Sequence, residues 1–348
     1  MWAIRRHFPH AFLALMHDQH VSESYIPGPG ALPEKGLFDG YISYHACKEG
    51  AGFRKLLKTI PEIRRGRFDT LVYLAPRRRT NRQIWRDLAF FRLGGIGRWL
   101  GWRGMKSPKK LVTEKPLPYL DREADHLLSR LARSGIPVPP PGQGCMDLGL
   151  TEGEVKEAKD WLSGQKVLNQ QHMLVGMGVG SKMPAKIWPK DRYALLGRYI
   201  IEQLGGVPII FGGPEDRELG DSLIREWQTG ANAAGALPVR QAAAALKFCR
   251  LYVGNDTGTM HLAAAVGVQC VAIFSARYFP GCWYPYGSNH IVLRAQVPCE
   301  GCMAENCREF DTVCLTSISV EDVARACREA LDHPKVNSLE TRDRDKTD

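Results

Sequence analysis

One stretch limits the folds open to this chain more than any other: Val253-Gly254-Asn255-Asp256-Thr257-Gly258-Thr259-Met260-His261-Leu262-Ala263-Ala264-Ala265-Val266-Gly267. The run Leu251-Tyr252-Val253 reads as a buried strand, and Met260 to Val266 as a short helix of small residues ended by Gly267. Between them, Asn-Asp-Thr-Gly-Thr puts two hydroxyls, a carboxylate and a glycine where a strand ends and a helix begins. In an open α/β sheet that edge is where ligands bind. Free backbone N–H groups and the helix dipole favour an anion there. A simple Asp or Thr helix cap is the plainer reading. A cap takes one side chain, however, and does not call for His261 one turn in.

Strand and helix patterns alternate around this stretch. Apolar runs at 172–176, 207–211, 251–254, 269–274 and 290–293 read as strands, and 191–204, 215–227 and 238–249 as helices. That alternation predicts an α/β chain with a doubly wound parallel sheet. The first half is less regular. Residues 3–9 look like the end of a helix, 11–16, 41–44 and 69–74 like strands, and 53–65, 121–133 and 152–162 like helices. The proline-rich segment Pro137-Val138-Pro139-Pro140-Pro141-Gly142 marks the approach to a domain boundary. We therefore expect domains at 1–160 and 161–330, with a charged, apolar-poor, disordered tail at 331–348. Two such domains facing each other would leave a cleft between their strand ends. No run approaches the ~20 apolar residues of a membrane span. The patch Ala11 to Met16 is too short for a secretory signal. The expected location is the cytoplasm, or the cytosolic face of the inner membrane.

Charge separates the two halves. Residues 1–140 carry a net +13 and residues 141–348 a net −3. The first half is therefore expected to meet something anionic, or to lie near an anionic surface. Its basic turn Arg77-Arg78-Arg79-Thr80-Asn81-Arg82 follows a strand and opens an amphipathic helix. Guanidinium groups in that position suit carboxylate or phosphate, although charge runs are usually just solvated. Arg92, Arg98 and Arg103 follow, interleaved with Trp99 and Trp102. That mixture suits a membrane interface. No nucleic-acid module motif is present, which disfavours RNA or DNA.

Two further turns carry chemistry. Gly176-Met177-Gly178-Val179-Gly180-Ser181-Lys182-Met183-Pro184-Ala185-Lys186-Ile187-Trp188-Pro189 is a glycine-rich turn after a strand. Its amides can approach an anion, and Lys182 and Lys186 add positive charge. It departs from the dinucleotide fingerprint, and an ordinary loop with two surface lysines fits it equally well. Phe211-Gly212-Gly213-Pro214-Glu215-Asp216 places a carboxylate at a helix start, as a cap or as an acceptor for a ribose hydroxyl.

In order, Gly-Ser…Lys-x-Trp-Pro, Gly-Gly-Pro-Glu and Asn-Asp-Thr-Gly-x-x-His-Leu-Ala-Ala-Ala resemble glycosyltransferase family 9, the ADP-heptose:lipopolysaccharide heptosyltransferases and their relatives. The likeness is strong from about Leu174 to Trp283 and weaker from the first residues to about Cys327. It implies a GT-B fold of two Rossmann-like domains, the first binding acceptor and the second a nucleotide-sugar donor. It implies transfer of a sugar, most plausibly heptose from ADP-heptose, to an anionic glycolipid or saccharide acceptor of the lipopolysaccharide type. It implies donor contacts from Ser181, Lys182, Lys186, Glu215, Asp256, Thr257, Gly258, Thr259 and His261. Arg77, Arg78, Arg79 and Arg82 become candidates for the acceptor's charge, with peripheral membrane contact nearby. No cofactor is required on this reading, since fixed positive groups face the leaving diphosphate.

The likeness departs in one place. Members of the family open with a strand and a Gly-Asp turn, whose Asp is the expected base. Here Met1-Trp2-Ala3-Ile4-Arg5-Arg6-His7-Phe8-Pro9 resembles the end of the helix that follows, so that Asp is expected upstream of Met1. Asp18, after the next strand, is a weak substitute. Losing a general base costs ~10²–10⁴ in rate. Two rivals therefore stand: a non-catalytic nucleotide-sugar-binding homologue and a GT-B-type sugar isomerase. Separately, Cys299, Cys302, Cys307 and Cys314 are candidate ligands for a structural zinc, against free or redox-active thiols. Ten cysteines without a secretion signal point away from a disulfide framework.

Overall fold

The computed structural model describes residues 1–18, 28–44, 56–77, 79–105, 115–168, 172–307, 309 and 311–332. It divides into two compact units: Met1–Lys115 with Asp121–Cys145, and Pro116–Leu120 with Met146–Asp348. The division falls after Cys145, earlier than the expected 160/161 boundary. The expected tail from 333 onward, and Arg78, lie outside the described residues.

The first unit runs α1 (Trp2–His7), β1 (Ala14–Asp18), β2 (Gly40–Tyr44), α2 (Ile60–Arg65), β3 (Thr70–Val72), α3 (Asn81–Leu93), β4 (Arg98–Leu100) and α4 (Glu123–Ala132). Its described strands form two separate parallel pairs, β1 with β2 and β3 with β4. A cavity of about 540 Å³ is lined from both pairs, by Met16, His17 and Asp18 on one side and Leu71, Tyr73 and Leu74 on the other. The first strand lies slightly later than its apolar run suggests. The Asp39 carboxylate accepts the Leu13 N–H at 2.8 Å and fixes the entry to β1, while Phe12 stays 63% exposed. Strand β4 was not expected. Its three residues are too few to show a period, and pairing with β3 alone defines it. Helix α3 starts in a capping box, with Thr80 accepting from the Gln83 N–H and Gln83 accepting from the Thr80 N–H. Arg130 of α4 is fully buried and donates to the carbonyls of Tyr73, Ala75 and Gly101, each at 2.7 Å. It thereby ties together the ends of β3 and β4.

The second unit is the doubly wound one. It runs α5 (Glu152–Gly164), β5 (Met173–Gly178), α6 (Lys190–Leu204), β6 (Gly206–Ile210), α7 (Arg217–Trp227), β7 (Ala231–Asn232), α8 (Val239–Leu246), β8 (Leu251–Asn255), α9 (Gly258–Ala265), β9 (Gln269–Phe274), β10 (Ile291–Arg294), α10 (Val313–Thr316) and α11 (Val320–Asp332). Six parallel strands lie in the order β10-β9-β8-β5-β6-β7. Strands β5, β8 and β9 are buried nearly throughout, as their unbroken apolar runs require. Side chains alternate between two cores. Val175, Met177, Val253, Val271 and Ile273 meet Leu196 of α6, Leu223 of α7 and Cys327 of α11. Leu174, Tyr252, Cys270, Ala272 and Phe274 meet Leu162 of α5, Ala244 of α8 and Ala263 of α9. Helix α5 packs on α8, and Glu154 pairs with Arg240 at 2.5 Å, which is why α5 joins this unit.

Candidate functional site

From β5 the chain steps outward to β6 and β7, then returns to place β8 on the other side of β5. Beyond the carboxyl ends of β5 and β8 lies the switch point of the sheet, the usual ligand crevice of such folds. All three turns singled out in the sequence follow the ends of the adjacent strands β6, β5 and β8.

Two glycines let the strand ends meet. Gly178 and Gly254 are register partners. A Cβ on Gly254 would come within 2.6 Å of the Gly178 carbonyl, and one on Gly178 within 1.8 Å of the Tyr252 hydroxyl. Asn255 then joins the loops. Its side chain is fully buried; Nδ2 donates to the carbonyls of Val179 and Gly180 at 3.1 and 3.2 Å. Its Oδ1 accepts from the Trp188 N–H at 3.1 Å and the Tyr193 hydroxyl at 2.9 Å. The amide has two donors and two acceptor positions, and all four are used.

Lys186 sits beside this hub. Its ammonium pairs with the Asp256 carboxylate at 2.6 Å and donates to the Asp256 carbonyl at 3.3 Å. Asp256 is only 8% exposed. Burial holds His261 below its ordinary pKa; nearby Asp256 pulls it up and Lys186 pushes it down. His261 is therefore a neutral imidazole at pH 7. Thr257 precedes α9 in an extended conformation but does not cap it with its side chain. The Thr257 hydroxyl shares a hydrogen bond with that of Thr259 at 2.9 Å, and Thr259 shares another with Tyr252 at 2.7 Å. Gly258 is exposed, with open space where a side chain would lie. The first turn of α9 thus presents backbone amides where an anion would find them. The cap reading of this turn does not hold.

The third turn reaches the first through Asp216. A Cβ on Gly180 would overlap the Asp216 carboxylate, so that carboxylate lies directly against the Gly180 backbone. Asp216 accepts the Gly213 N–H at 3.0 Å. Burial raises its pKa; the Gly213 N–H and Lys182 act against the rise, and Glu215 adds to it. Glu215 and Lys182 are exposed, and Ser181 accepts the Met183 N–H at 3.2 Å. The structure therefore gathers Lys186, Asp256, Thr257, Thr259 and His261 closely, with Ser181, Lys182 and Glu215 on the adjoining turns. Sequence reasoning did not single out Asn255, Tyr252 or Asp216. The signal for Asn255 was its place as the last residue of a wholly apolar strand, where a polar side chain has to find partners.

The arginines of the first unit divide. Arg77 is buried, pairs with Glu123 at 2.6 Å and donates to the Asp121 carbonyl at 2.9 Å. Its charge is held inside the unit. Arg79 lies 3.7 Å from Asp87, and Arg82 is exposed. Asp18 ends β1 at the edge of the cavity.

The four cysteines lie near enough that Cys299, Cys302 and Cys307 reinforce the rise that burial imposes on the Cys314 pKa. Among the described residues, however, no three His, Cys, Asp or Glu side chains are placed to hold a metal ion. The thiols as arranged do not fit a tetrahedral zinc.

A family model described as glycosyltransferase family 9 (heptosyltransferase) matches residues 131–312. Lipopolysaccharide heptosyltransferase 2 of Escherichia coli K12 is 32% identical over 133 residues, covering 36% of this chain and 37% of that protein. Lipooligosaccharide heptosyltransferase 2 of Haemophilus influenzae is 32% identical over 127 residues, covering 33% and 36%. The match thus spans little more than a third of the length of these two relatives. Two solved structures share the fold over 95% of this chain. The family 9 glycosyl transferase from Veillonella parvula has a TM-score of 0.69 at 21% identity, with 91% of that chain covered. E. coli ADP-heptose lps heptosyltransferase II has a TM-score of 0.62 at 20% identity, with 92% covered. The fold class is the GT-B fold of the glycosyltransferases.

Proposed function

Because this chain belongs to glycosyltransferase family 9, the heptosyltransferases, we propose that it transfers a sugar, heptose, from ADP-heptose to an anionic lipopolysaccharide-type acceptor. The donor is held by Ser181, Lys182, Lys186, Glu215, Asp256, Thr257, Gly258, Thr259 and His261 of the second unit. The observation that carries this reading is that three turns follow adjacent strand ends, two of them joined by the Lys186–Asp256 pair beside the uncapped start of α9 and the third laid against Gly180 through Asp216. Transfer breaks the bond from the anomeric carbon to the diphosphate and forms one to the acceptor oxygen, whose proton passes to a base. Negative charge grows on the departing diphosphate. Lys186 and the amides of Thr257, Gly258 and Thr259 are fixed where they can stabilise it, and preorganised charge of this kind needs no reorganisation during reaction. No bound metal or cofactor enters any step.

The acceptor's charge falls to Arg78, Arg79 and Arg82; Arg77, paired with Glu123, takes no part in it. The enzyme works on the cytosolic face of the inner membrane, in peripheral contact with it. No described helix is long and apolar enough to cross a membrane.

Calorimetric titration with ADP and ADP-heptose tests the donor site. Lys186→Ala should weaken both ligands about tenfold or more, as expected for a charge-assisted phosphate contact. Unchanged affinity would remove the site. Sugar transfer to a lipopolysaccharide-type acceptor by the full chain would exclude a binding-only protein. Conversion of donor without acceptor would mark an isomerase.

A further inference from the structure

Helix α3 has a buried side and an outward side of unusual make-up. Ile84, Leu88 and Phe90 are buried. Facing out are Arg82, Trp85, Arg86, Ala89, Arg92 and Leu93, at helical spacing. Trp85 and Leu93 are each 58% exposed. Trp85 contacts Trp102 with ring centroids 5.6 Å apart, and the Arg103 guanidinium lies 5.2 Å over the Trp102 ring. From Arg77 to Arg103 the sequence has eight arginines and one acid, Asp87. That acid is turned inward. It accepts from the Tyr73 hydroxyl at 2.7 Å and holds Arg86 at 2.7 Å and Arg79 at 3.7 Å. Among the described residues, Arg82 and Arg92 make no ion pair.

A merely solvated face mixes acids with bases, whereas here an indole and a leucyl side chain stand out on one face among arginines alone. A nucleic-acid face would want Arg with aromatics lying flat for stacking on single-stranded bases. Here Trp85 is tilted at 57° against Trp102, and Leu93 has no base to stack on. Apolar side chains standing out from a one-signed cationic face are the composition of a helix that rests in the interface of an anionic bilayer.

We propose that the outward face of α3, with Trp85 and Leu93 as apolar anchors, Arg86 and Arg92 as headgroup contacts and the Trp102–Arg103 pair beside them, is the surface by which this chain docks on an anionic bilayer. It rests on the functional reading only for the expectation that the acceptor is a membrane lipid. It adds the residues that make the contact and the charge the bilayer must carry. Arg82, on the first turn, belongs also to the acceptor assignment and is left out of the test.

The test is co-sedimentation of the full chain with phosphatidylcholine vesicles, with and without 30% phosphatidylglycerol, alongside ADP titration of each protein. The wild type should bind the anionic vesicles and not the neutral ones, and should release as salt rises. Trp85→Ser with Leu93→Ser should lower partitioning at least tenfold. Arg92→Gln should lower it roughly fivefold, the effect of one cation near an anionic surface. All variants should keep the wild-type far-UV circular dichroism and urea unfolding midpoints, which shows that the first unit folds, and should bind ADP as the wild type does, which shows the same of the second. Equal binding to neutral and anionic vesicles, no vesicle binding, or variants that bind vesicles like the wild type would each overturn the proposal. So would preference for a single-stranded oligonucleotide that displaces the vesicles. Failure of the wild type to bind ADP would instead strike the functional reading and leave the vesicle result to stand by itself.

Discussion

Replacing Asn255 by Ala tests how the donor loops are held. The side chain is fully buried and makes four hydrogen bonds. The variant strands the Trp188 N–H and the carbonyls of Val179 and Gly180. Tyr193 loses one partner but keeps the Gly178 carbonyl at 3.2 Å. Each buried polar group left unpaired costs ~1–3 kcal/mol. Three such groups would give ~3–9 kcal/mol, and a water entering the vacated space would bring the net nearer ~3 kcal/mol. For a domain of this size ~3 kcal/mol corresponds to about 6–12 °C in Tm. Tyr193→Phe, which removes only the hydroxyl, should cost ~1 kcal/mol. Urea unfolding followed by tryptophan fluorescence is a direct assay, because Trp188 is buried 5.0 Å from the Tyr193 ring. ADP titration below the unfolding transition reads the loops themselves. Affinity should fall in Asn255→Ala far more than in Tyr193→Phe, since only the former frees the Val179–Gly180 backbone. A loss of stability under 1 kcal/mol, or an unchanged ADP affinity, would refute the claim that this amide sets the site.

Two further outcomes follow from charge. Asp256 neutralises Lys186 at 2.6 Å, so Asp256→Asn should free the cation and strengthen binding of free ADP, whose terminal phosphate carries an extra charge, by roughly tenfold after screening. The same change should not improve ADP-heptose on the proposed reading, in which the carboxylate accepts sugar hydroxyls; equal shifts for both ligands in calorimetry would contradict this. In the first unit, burial and the adjacent Arg77 push His126 down to about 4 from 6.5. Between those values the unfolded chain takes up a proton that the folded chain refuses. Stability is therefore complete above about pH 6.5 and falls as the pH drops towards 4, by at most ~3 kcal/mol. His126→Gln should flatten that window in urea titrations at pH 7 and pH 5; an unchanged pH dependence would assign the loss to other groups.

What the sequence made legible follows from where the information sits. That Lys186, Asp256, Thr257 and His261 come together was readable because each follows the end of an apolar run, and a parallel sheet brings such ends to one edge. The role of Asn255 was not, because it depends on the pairing of Gly178 with Gly254 across strands far apart in sequence. Choosing between Glu215 and Asp216 was likewise beyond spacing. The single turn Pro214–Asp216 leaves the first carboxylate exposed and lays the second against Gly180. Arg77 looked like its neighbours in a basic run. Only the fold reveals that Glu123, on α4, takes its charge inside. Helix α11 was not among the expected elements, although Val323, Cys327 and Ala330 carry the helical period.

The proposed donor residues all belong to one compact unit. The geometry of their site is set by a buried amide, two glycines in register and a carboxylate pressed on a glycine backbone, all inside that unit. None of these contacts waits for a ligand. A pyrophosphate entering such a site would order little chain, so less of its binding energy would be lost to loop entropy. The Lys186–Asp256 pair stands apart from these contacts as one a ligand must disturb, because its cation is already matched. The cost of donor binding should therefore concentrate in one exchange, Lys186 turning from carboxylate to phosphate, and that exchange should be felt most by whichever nucleotide carries the greater terminal charge. A site built in this way would hold the intact sugar nucleotide and resist its own product, without a moving loop to expel it.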